Sequence, residues 1–390
     1  MQSAVLGTRP DISDIPKVDW RAVSKEAEQQ AVTAMALDAS AEIKEHIPKE
    51  VYDEWCDKAL LHLVNNAKVT KSQTALVKLL EENSFPYVVM KGEAIASYYP
   101  RPELRLLGDV DFLIDPADKE AVSDLLRKNG YKSDKEDHGC HTVFKKPSAH
   151  LEMHFKLQGL PEGEIGARVD IFMKNALTAP KRQKGDGGEF NTLNPWECGL
   201  VVLLHIQHHM VAEGVGLRHL CDWGCFINAT ANHPFWQEKL VGLFRETGLL
   251  TYASAITRLC QKAFSTPCPD WVEAIDDAVC DALLEDVFSG GNFGRKDKDR
   301  ARTGSLITDK NRKGFEKSKW RRMLEVLREN IRTKHPSVNK YPILYPFFFV
   351  YRVVKYFAMT LVGKRPPITK VARNIDKRKN IYKKLRIFEV

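Results

Sequence analysis

A short run in which acidic and apolar residues alternate, Gly-Asp-Val-Asp-Phe at positions 108–112, constrains this chain more than any other feature. Side chains two positions apart on a β-strand point to the same face. Asp109 and Asp111 therefore share one face of a strand, and Val110 and Phe112 share the other. The run predicts a strand that buries one face and places two carboxylates in a single site on the other.

Two further apolar runs accompany this strand. Tyr87–Met90 reads as a short strand that runs into Lys91-Gly92 and then into a helical stretch, and Leu151-Glu152-Met153 places one glutamate between apolar neighbours. Three carboxylates that converge from adjacent strands repel one another, which raises their pKa values unless a cation is bound. Their hard oxygen ligands favour Mg²⁺ or Mn²⁺ over zinc. The alternative is a pair of acids near a strand end and an exposed glutamate on an edge strand.

At these residues the chain resembles the uncharacterised nucleotidyltransferase family of the DNA polymerase β superfamily. The superfamily pattern is a glycine turn at a helix start, then Asp-x-Asp on a strand, then a later strand carboxylate. The matching positions are Lys91-Gly92, Arg105, Gly108-Asp109-Val110-Asp111, Asn129-Gly130-Tyr131, His141 and Leu151-Glu152-Met153-His154. The resemblance is sharp over about 85–157 and weaker over 195–227. The superfamily usually has Gly-Gly or Gly-Ser at the turn, where this chain has Lys91-Gly92-Glu93.

The resemblance implies an enzyme that moves a nucleoside monophosphate from a nucleoside triphosphate to an acceptor hydroxyl. In a two-metal mechanism, Asp109 and Asp111 would hold two Mg²⁺ ions, and Glu152 would complete the second metal site beside the acceptor hydroxyl. Nucleotide-binding positions are then Lys91, Gly92, Arg105 and Gly108. Residues expected to orient the site or contact substrate are His154, His205, Arg218 and Asp222, of which the last three belong to a helical half that closes over the cleft.

The expected fold is α/β (α+β), with a small mixed β-sheet core flanked by helical N-terminal and C-terminal regions. The predicted parts are a helical N-terminal region (1–84), a catalytic core (85–190), a helical domain (191–289), a flexible connector (290–319) and a basic, partly aromatic-apolar C-terminal region (320–390). Residues 134–139 and 180–188 are expected to be exposed loops, and Asn65-Asn66 is expected to break a helix.

Composition and cysteine usage point to an ordinary cytoplasmic protein. The 390 residues are enough for two or more domains, and 43% are hydrophobic and 28% charged. Met1–Asp19 contains no apolar core of the length that a signal peptide needs. None of the eight cysteines forms a Cys-x-x-Cys pair. Reduced thiols are therefore expected.

The charge is divided unevenly along the chain. Residues 291–390 hold 28 Lys and Arg against 8 Asp and Glu, a net charge of +20, which leaves −12 in residues 1–290. Such asymmetry indicates an anionic partner. Tyr341–Leu361 is apolar and aromatic, but Arg352 and Lys355 lie within it, so an interfacial helix on anionic lipid is favoured over a membrane span. A core helix with solvated basic neighbours is the equal alternative.

For the region 341–386, an anionic membrane surface at the inner face of the membrane is thus one expected partner. Nucleic acid is less favoured, because no recognition fold accompanies the basic residues.

The sequence does not favour two other possible metal sites. His138, Cys140, His141, His150 and His154 fit no common zinc spacing. His205 and His209 lie one helical turn apart, as in the His-Glu-x-x-His motif, but position 206 is isoleucine and supplies no general base. Histidines that line a cleft or a core are therefore expected in that helix.

Two rival functions remain open. One is a nucleotide-binding regulatory protein on a decayed nucleotidyltransferase fold, which the Lys91-Gly92-Glu93 turn favours. The other is a membrane-surface scaffold that works through the basic C-terminal region. The sequence leaves the acceptor and the nucleotide base undetermined.

Overall fold

The fold is that of a computed structural model, which describes residues 1–8, 18–134, 139–297, 300–307 and 318–389. His138, most of the loop expected at 134–139 and parts of the connector expected at 290–319 lie outside the described residues.

The described strands form one seven-stranded mixed sheet in the order β3-β4-β5-β2-β1-β7-β6. They are β1 Val88–Val89, β2 Val110–Leu113, β3 Lys132–Ser133, β4 His141–Lys146, β5 Ala149–His154, β6 Lys181–Gly185 and β7 Gly188–Thr192. The pairs β1–β7 and β2–β5 are parallel, and the remaining neighbours are antiparallel. The predicted mixed sheet is confirmed.

Helices account for most of the rest of the chain. In the described residues they are α1 Gln2–Leu6, α2 Trp20–Gln29, α3 Thr33–Ala39, α4 Lys49–Glu82, α5 Glu93–Ala96, α6 Lys119–Lys128, α7 Glu164–Phe172, α8 Pro195–Val211, α9 Leu217–Thr230, α10 Val241–Glu246, α11 Leu250–Phe264, α12 Asp277–Gly290, α13 Arg300–Ile307, α14 Lys319–Lys334, α15 Ser337–Lys340, α16 Tyr345–Leu361 and α17 Ile368–Leu385. The expected α/β class with flanking helices is confirmed.

The two faces of the sheet have different partners. On one face, apolar side chains of alternate strand positions join one core with α4 and α6; they include Val110, Phe112, Leu151, Met153, Leu76, Leu80, Val122 and Leu126. On the other face, Val88, Met90 and Leu113 belong to a second core, which is built mainly from α8, α9 and α11. The period-2 pattern of β2 therefore turns Asp111 toward the helical body.

The start of α8 has a clear local cause. Asn194 precedes Pro195, whose fixed φ suits the first helical position, and the backbone N–H of Asn194 donates to Glu197 Oε2 at 2.9 Å. This capping box fixes where the helix that carries His205 and His209 begins.

Two local expectations are wrong. The loop expected over 180–188 is instead part of the β-hairpin β6–β7, which runs from Lys181 to Thr192 at the sheet edge. Edge strands tolerate lysine and glycine because one side of the strand has no partner, so their composition resembles that of a loop. Helix α4 also runs without a break for 34 residues through Asn65-Asn66.

Parts of the expected connector are helical. A short 3-10 turn covers Asn292–Gly294, and α13 follows.

The alternative in which Tyr341–Leu361 is a core helix is also wrong, because α16 has no buried residue. Within the described ranges, no helix combines the length and apolar character that a membrane span needs. The division of the chain into domains stays a prediction.

Asn66 holds the loop that leads into β2. Its side-chain Nδ2 donates to the carbonyl oxygens of Glu103 at 3.0 Å and Arg105 at 2.8 Å, and its Oδ1 accepts from the N–H of Leu107 at 2.8 Å. Asn66 is buried, so these bonds satisfy backbone groups that water does not reach. The residue expected to break α4 instead fixes the approach to Asp109.

We expect Asn66→Ala to lower the free energy of unfolding by about 1–3 kcal/mol, because it leaves buried backbone groups without partners. Urea unfolding measures the change. The control is Asn83→Ala, since Asn83 is exposed just after the same helix and its side chain bonds locally, to the carbonyl of Leu79. We expect about 0.5 kcal/mol or less there. Equal effects in the two variants would contradict the role given to Asn66.

Candidate active site

The three predicted carboxylates meet in one cleft. The parallel register of β2 and β5 places Asp111 beside Glu152, and Asp109 lies at the entry to β2. All three line a cleft of about 420 Å³. Of the other predicted residues, Lys91, Gly92, Arg105, Gly108, His205 and Arg218 also line it.

Asp111 is the most constrained of the three acids. Its Oδ1 lies 2.6 Å from Lys91 Nζ and 3.0 Å from His154 Nε2, and all three residues are buried. Burial alone raises the pKa of Asp111, but the Lys91 ammonium and the His154 hydrogen bond outweigh it and hold that pKa below its usual range. Burial lowers the pKa values of Lys91 and His154, yet the carboxylates, Asp111 foremost, raise both overall.

Asp109 differs from its neighbours because no side chain of the described residues bonds to it. Burial, followed by repulsion from Asp111 and Glu152, raises its pKa to about 7. Burial also works to raise the pKa of Glu152, but the hydrogen bond from His154 leads the effects that lower it overall. Oxygen ligands that crowd together without enough positive charge fit Mg²⁺ or Mn²⁺.

The turn after β1 explains the departure from the superfamily pattern. Gly92 has φ +64°, a conformation that glycine adopts without strain. The carboxylate of Glu93 turns away from the cleft and accepts hydrogen bonds from Thr70 Oγ1 and Gln73 Nε2 of α4, each at 2.6 Å. Glu93 thus anchors the turn to α4, where a serine would leave those partners unpaired.

Histidines line the opposite wall of the cleft. His205 Nδ1 lies 3.3 Å from Lys91 Nζ. One ring nitrogen from each of His205, His209 and His219 lies within 4.8 Å of the others, so these three form a second group able to hold a cation. Burial lowers the pKa values of all three, those of His205 and His219 most strongly, and nearby cations add to it. For His209, a hydrogen bond with Glu213 partly offsets this lowering of the pKa.

The sequence patterns do not predict His219 as a site residue. It follows Arg218 in the first turn of α9, and its Nδ1 accepts a hydrogen bond of 3.3 Å from the N–H of Gly216. A histidine at that helix position has no local signal that distinguishes it from a core residue. The expectation that His205 and His209 line a cleft is confirmed.

Arg105 and Asp222 form a buried pair that joins the sheet to the helical body. Arg105 Nε donates to Asp222 Oδ1 at 2.7 Å and Nη2 to Oδ2 at 2.8 Å, and the Tyr99 hydroxyl also donates to Asp222. Burial opposes the charge on Arg105, but Asp222 raises its pKa overall. Asp222 is not among the residues that line the cleft. Phosphate contact by Arg105 and substrate contact by Asp222 stay predictions.

The zinc alternative is not assembled in the described part of the chain. The groups of three ligating side chains found there are Asp111, Glu152 and His154 on one wall and His205, His209 and His219 on the other. Neither includes Cys140, His141 or His150. His141 Nδ1 lies 2.8 Å from Gln158 Nε2 instead. In the described residues none of the eight cysteines forms a disulfide.

The chain is similar to one known protein family over most of its length. The family described as uncharacterised nucleotidyltransferase matches residues 16–265, which is more than half of the chain. The chain belongs to this family. No curated protein matches it. Among solved structures, an antigenic nucleotidyltransferase-like protein from Paracoccidioides brasiliensis is similar at 15% sequence identity and a TM-score of 0.29, over 48% of this chain and 92% of its own.

The nucleotidyltransferase family match extends well beyond the acidic strands. It includes α4, which holds the loop before β2, and α8 and α9, which form the opposite wall of the cleft. It ends before α12, α14 and α16.

We expect Asp222→Ala to lower the free energy of unfolding by about 3–5 kcal/mol, because it leaves the Arg105 guanidinium buried without its partner. Chemical denaturation measures the loss. Asp38→Ala is the control, since Asp38 pairs with the exposed Arg101. Exposed pairs contribute about 0–1 kcal/mol. If Asp222→Ala lowered the free energy of unfolding no more than Asp38→Ala, the Arg105–Asp222 pair would not be what joins the sheet to the helical body.

Proposed function

We propose that this chain is a Mg²⁺-dependent nucleotidyltransferase that moves a nucleoside monophosphate from a nucleoside triphosphate to an acceptor hydroxyl. The observation that carries the proposal is the position of Asp109, Asp111 and Glu152 in one cleft of a chain that belongs to a nucleotidyltransferase family.

The carboxylates are the residues that would hold Mg²⁺ or Mn²⁺. Asp109 has no protein partner in the described chain, so it is the acid that gains most from a bound cation. The bound ion would neutralise charge on the triphosphate and lower the pKa of the acceptor hydroxyl. Glu152 lies across the strand pair from Asp111 and is the less buried of the two, which suits a position beside the acceptor.

The remaining residues of the cleft are suited to bind phosphate. Lys91 supplies a buried ammonium 2.6 Å from Asp111, and Gly92 leaves the backbone accessible because it has no side chain. Arg218 lines the cleft and its Nε is buried without a hydrogen-bond partner among the described residues. An N–H in that condition gains free energy from an anionic oxygen. The predicted nucleotide-binding roles of Lys91, Gly92 and Gly108 are part of this proposal.

One observation favours a second candidate function, a regulatory protein that binds nucleotide without turnover. Lys91 already neutralises Asp111, the acid that the family pattern assigns to the metal. A fixed ammonium beside that carboxylate can also hold a phosphate without any divalent ion. The two candidates therefore differ in whether binding needs Mg²⁺ and whether product forms.

For the transferase, we expect Mg²⁺-dependent binding of at least one ribonucleoside triphosphate in calorimetry, and loss of that binding in the Asp109→Ala/Asp111→Ala variant. The matched control is Asp118→Ala/Asp124→Ala, which removes two acids near and on α6, outside the cleft. We expect it to bind as the unchanged chain does. Equal binding by the two double variants would place the nucleotide elsewhere.

Turnover separates the candidates. With Mg²⁺ and an acceptor, we expect pyrophosphate release, and Asp111→Asn should slow it about 10²–10³-fold, as for other electrostatic catalytic groups. The regulatory candidate instead expects nucleotide binding that survives EDTA, no pyrophosphate, and loss of binding in Lys91→Ala but not in Lys128→Ala. Lys128 is exposed at the end of α6 and serves as the matched control.

A further inference from the structure

Helix α16 exposes a continuous apolar stripe. Phe347, Val350, Val354, Phe357 and Leu361 are separated by three or four positions, so they lie on one face, and each is between 53% and 89% exposed. The stripe is about 21 Å long at 1.5 Å per residue. Soluble proteins seldom leave a contiguous apolar surface of this size uncovered unless it binds something.

The opposite face of α16 is held by its neighbours. The ring of Phe348 stacks on His335 with their centroids 4.1 Å apart, and the hydroxyl of Tyr356 donates to the carbonyl of Pro366 at 2.8 Å. Helix α17 then returns to the body, where Arg378 Nη2 donates to the carbonyl oxygens of Met210 and Val211 at 2.9 Å each. These contacts orient the stripe outward.

The segment that carries the stripe has charges of one sign. Residues 330–375 contain nine Lys and Arg and no Asp or Glu. Lys355 and Lys364 are exposed on or just after the helix. A second copy of this chain would bring two positive surfaces together, whereas an anionic bilayer offers apolar tails and negative headgroups in the same place.

We propose that α16 is a docking site for the surface of an anionic phospholipid bilayer. The stripe enters the boundary between headgroups and acyl chains, and Lys355 and Lys364 lie at the lipid phosphates. Phe347, Tyr351 and Phe357 are aromatic, the residue class that prefers this boundary. The proposal does not rest on nucleotide transfer, since α16 contributes no residue to the cleft.

The test is sedimentation of the full chain with two kinds of vesicle, phosphatidylcholine alone and phosphatidylcholine mixed with phosphatidylserine. We expect binding to the phosphatidylserine vesicles that weakens as salt rises. Val350→Asp/Val354→Asp should weaken it about tenfold or more, because the stripe then carries charge. Leu61→Asp/Ile171→Asp places the same charges at exposed apolar positions of α4 and α7 and should bind as the unchanged chain does.

A second variant separates lipid charge from apolar contact. Lys355→Glu/Lys364→Glu should lose affinity for the phosphatidylserine vesicles, and Asp109→Ala/Asp111→Ala should keep it. Circular dichroism and Tm are expected to stay unchanged in the α16 variants, whose altered side chains are exposed.

Three results would overturn the proposal. They are no binding to either vesicle, full binding by Val350→Asp/Val354→Asp, and light scattering that finds a dimer which this variant dissociates without any vesicle binding. Nucleotide binding is measured on the same variants, so failure of lipid docking is distinct from failure of the transferase.

Discussion

The burial of the Asp111 carboxylate is the constraint on which the candidate site depends. Asp111 is 3% exposed, and a carboxylate so far from water needs opposite charge and hydrogen bonds within the protein. Lys91 arrives from the end of β1 and His154 from β5, so three neighbouring strands supply the charge and its compensation. The same convergence brings Asp109 and Glu152 close enough to repel one another, and that repulsion favours a divalent cation in the cleft.

Contacts distant in sequence hold the entry to this site. Asn66 of α4 binds the backbone of the loop before β2, and Arg105 in that loop pairs with Asp222 of α9. The loop is thus fixed from the sheet side and from the helical side at once. The position of this loop sets where Asp109 meets the cleft, so Asn66 and the Arg105–Asp222 pair help to determine the geometry of that acid.

The basic C-terminal hundred residues do not act as one uniform surface. Arg300 pairs with buried Asp286, and Arg378 bonds to carbonyl oxygens at the end of α8, so part of the positive charge is structural. The charge that remains exposed around α16 lies beside an apolar stripe. Some of the basic residues behind the net charge of +20 in this region therefore attach it to the rest of the protein. Only the exposed basic residues are available to an anionic partner.

Sequence patterns predict the acid-bearing strands, the mixed sheet with flanking helices and the cleft-lining histidines of α8, because each follows from a short periodic pattern or a family motif. The predicted helix break at Asn65-Asn66 and the predicted loop at 180–188 are wrong, since asparagine and glycine have the same local propensities whether their hydrogen bonds are local or to a distant segment. The anchoring of Glu93 to α4 and the pairing of Arg105 with Asp222 follow only from the folded chain. Those outcomes depend on contacts between residues 20 to 117 positions apart, which no local pattern encodes.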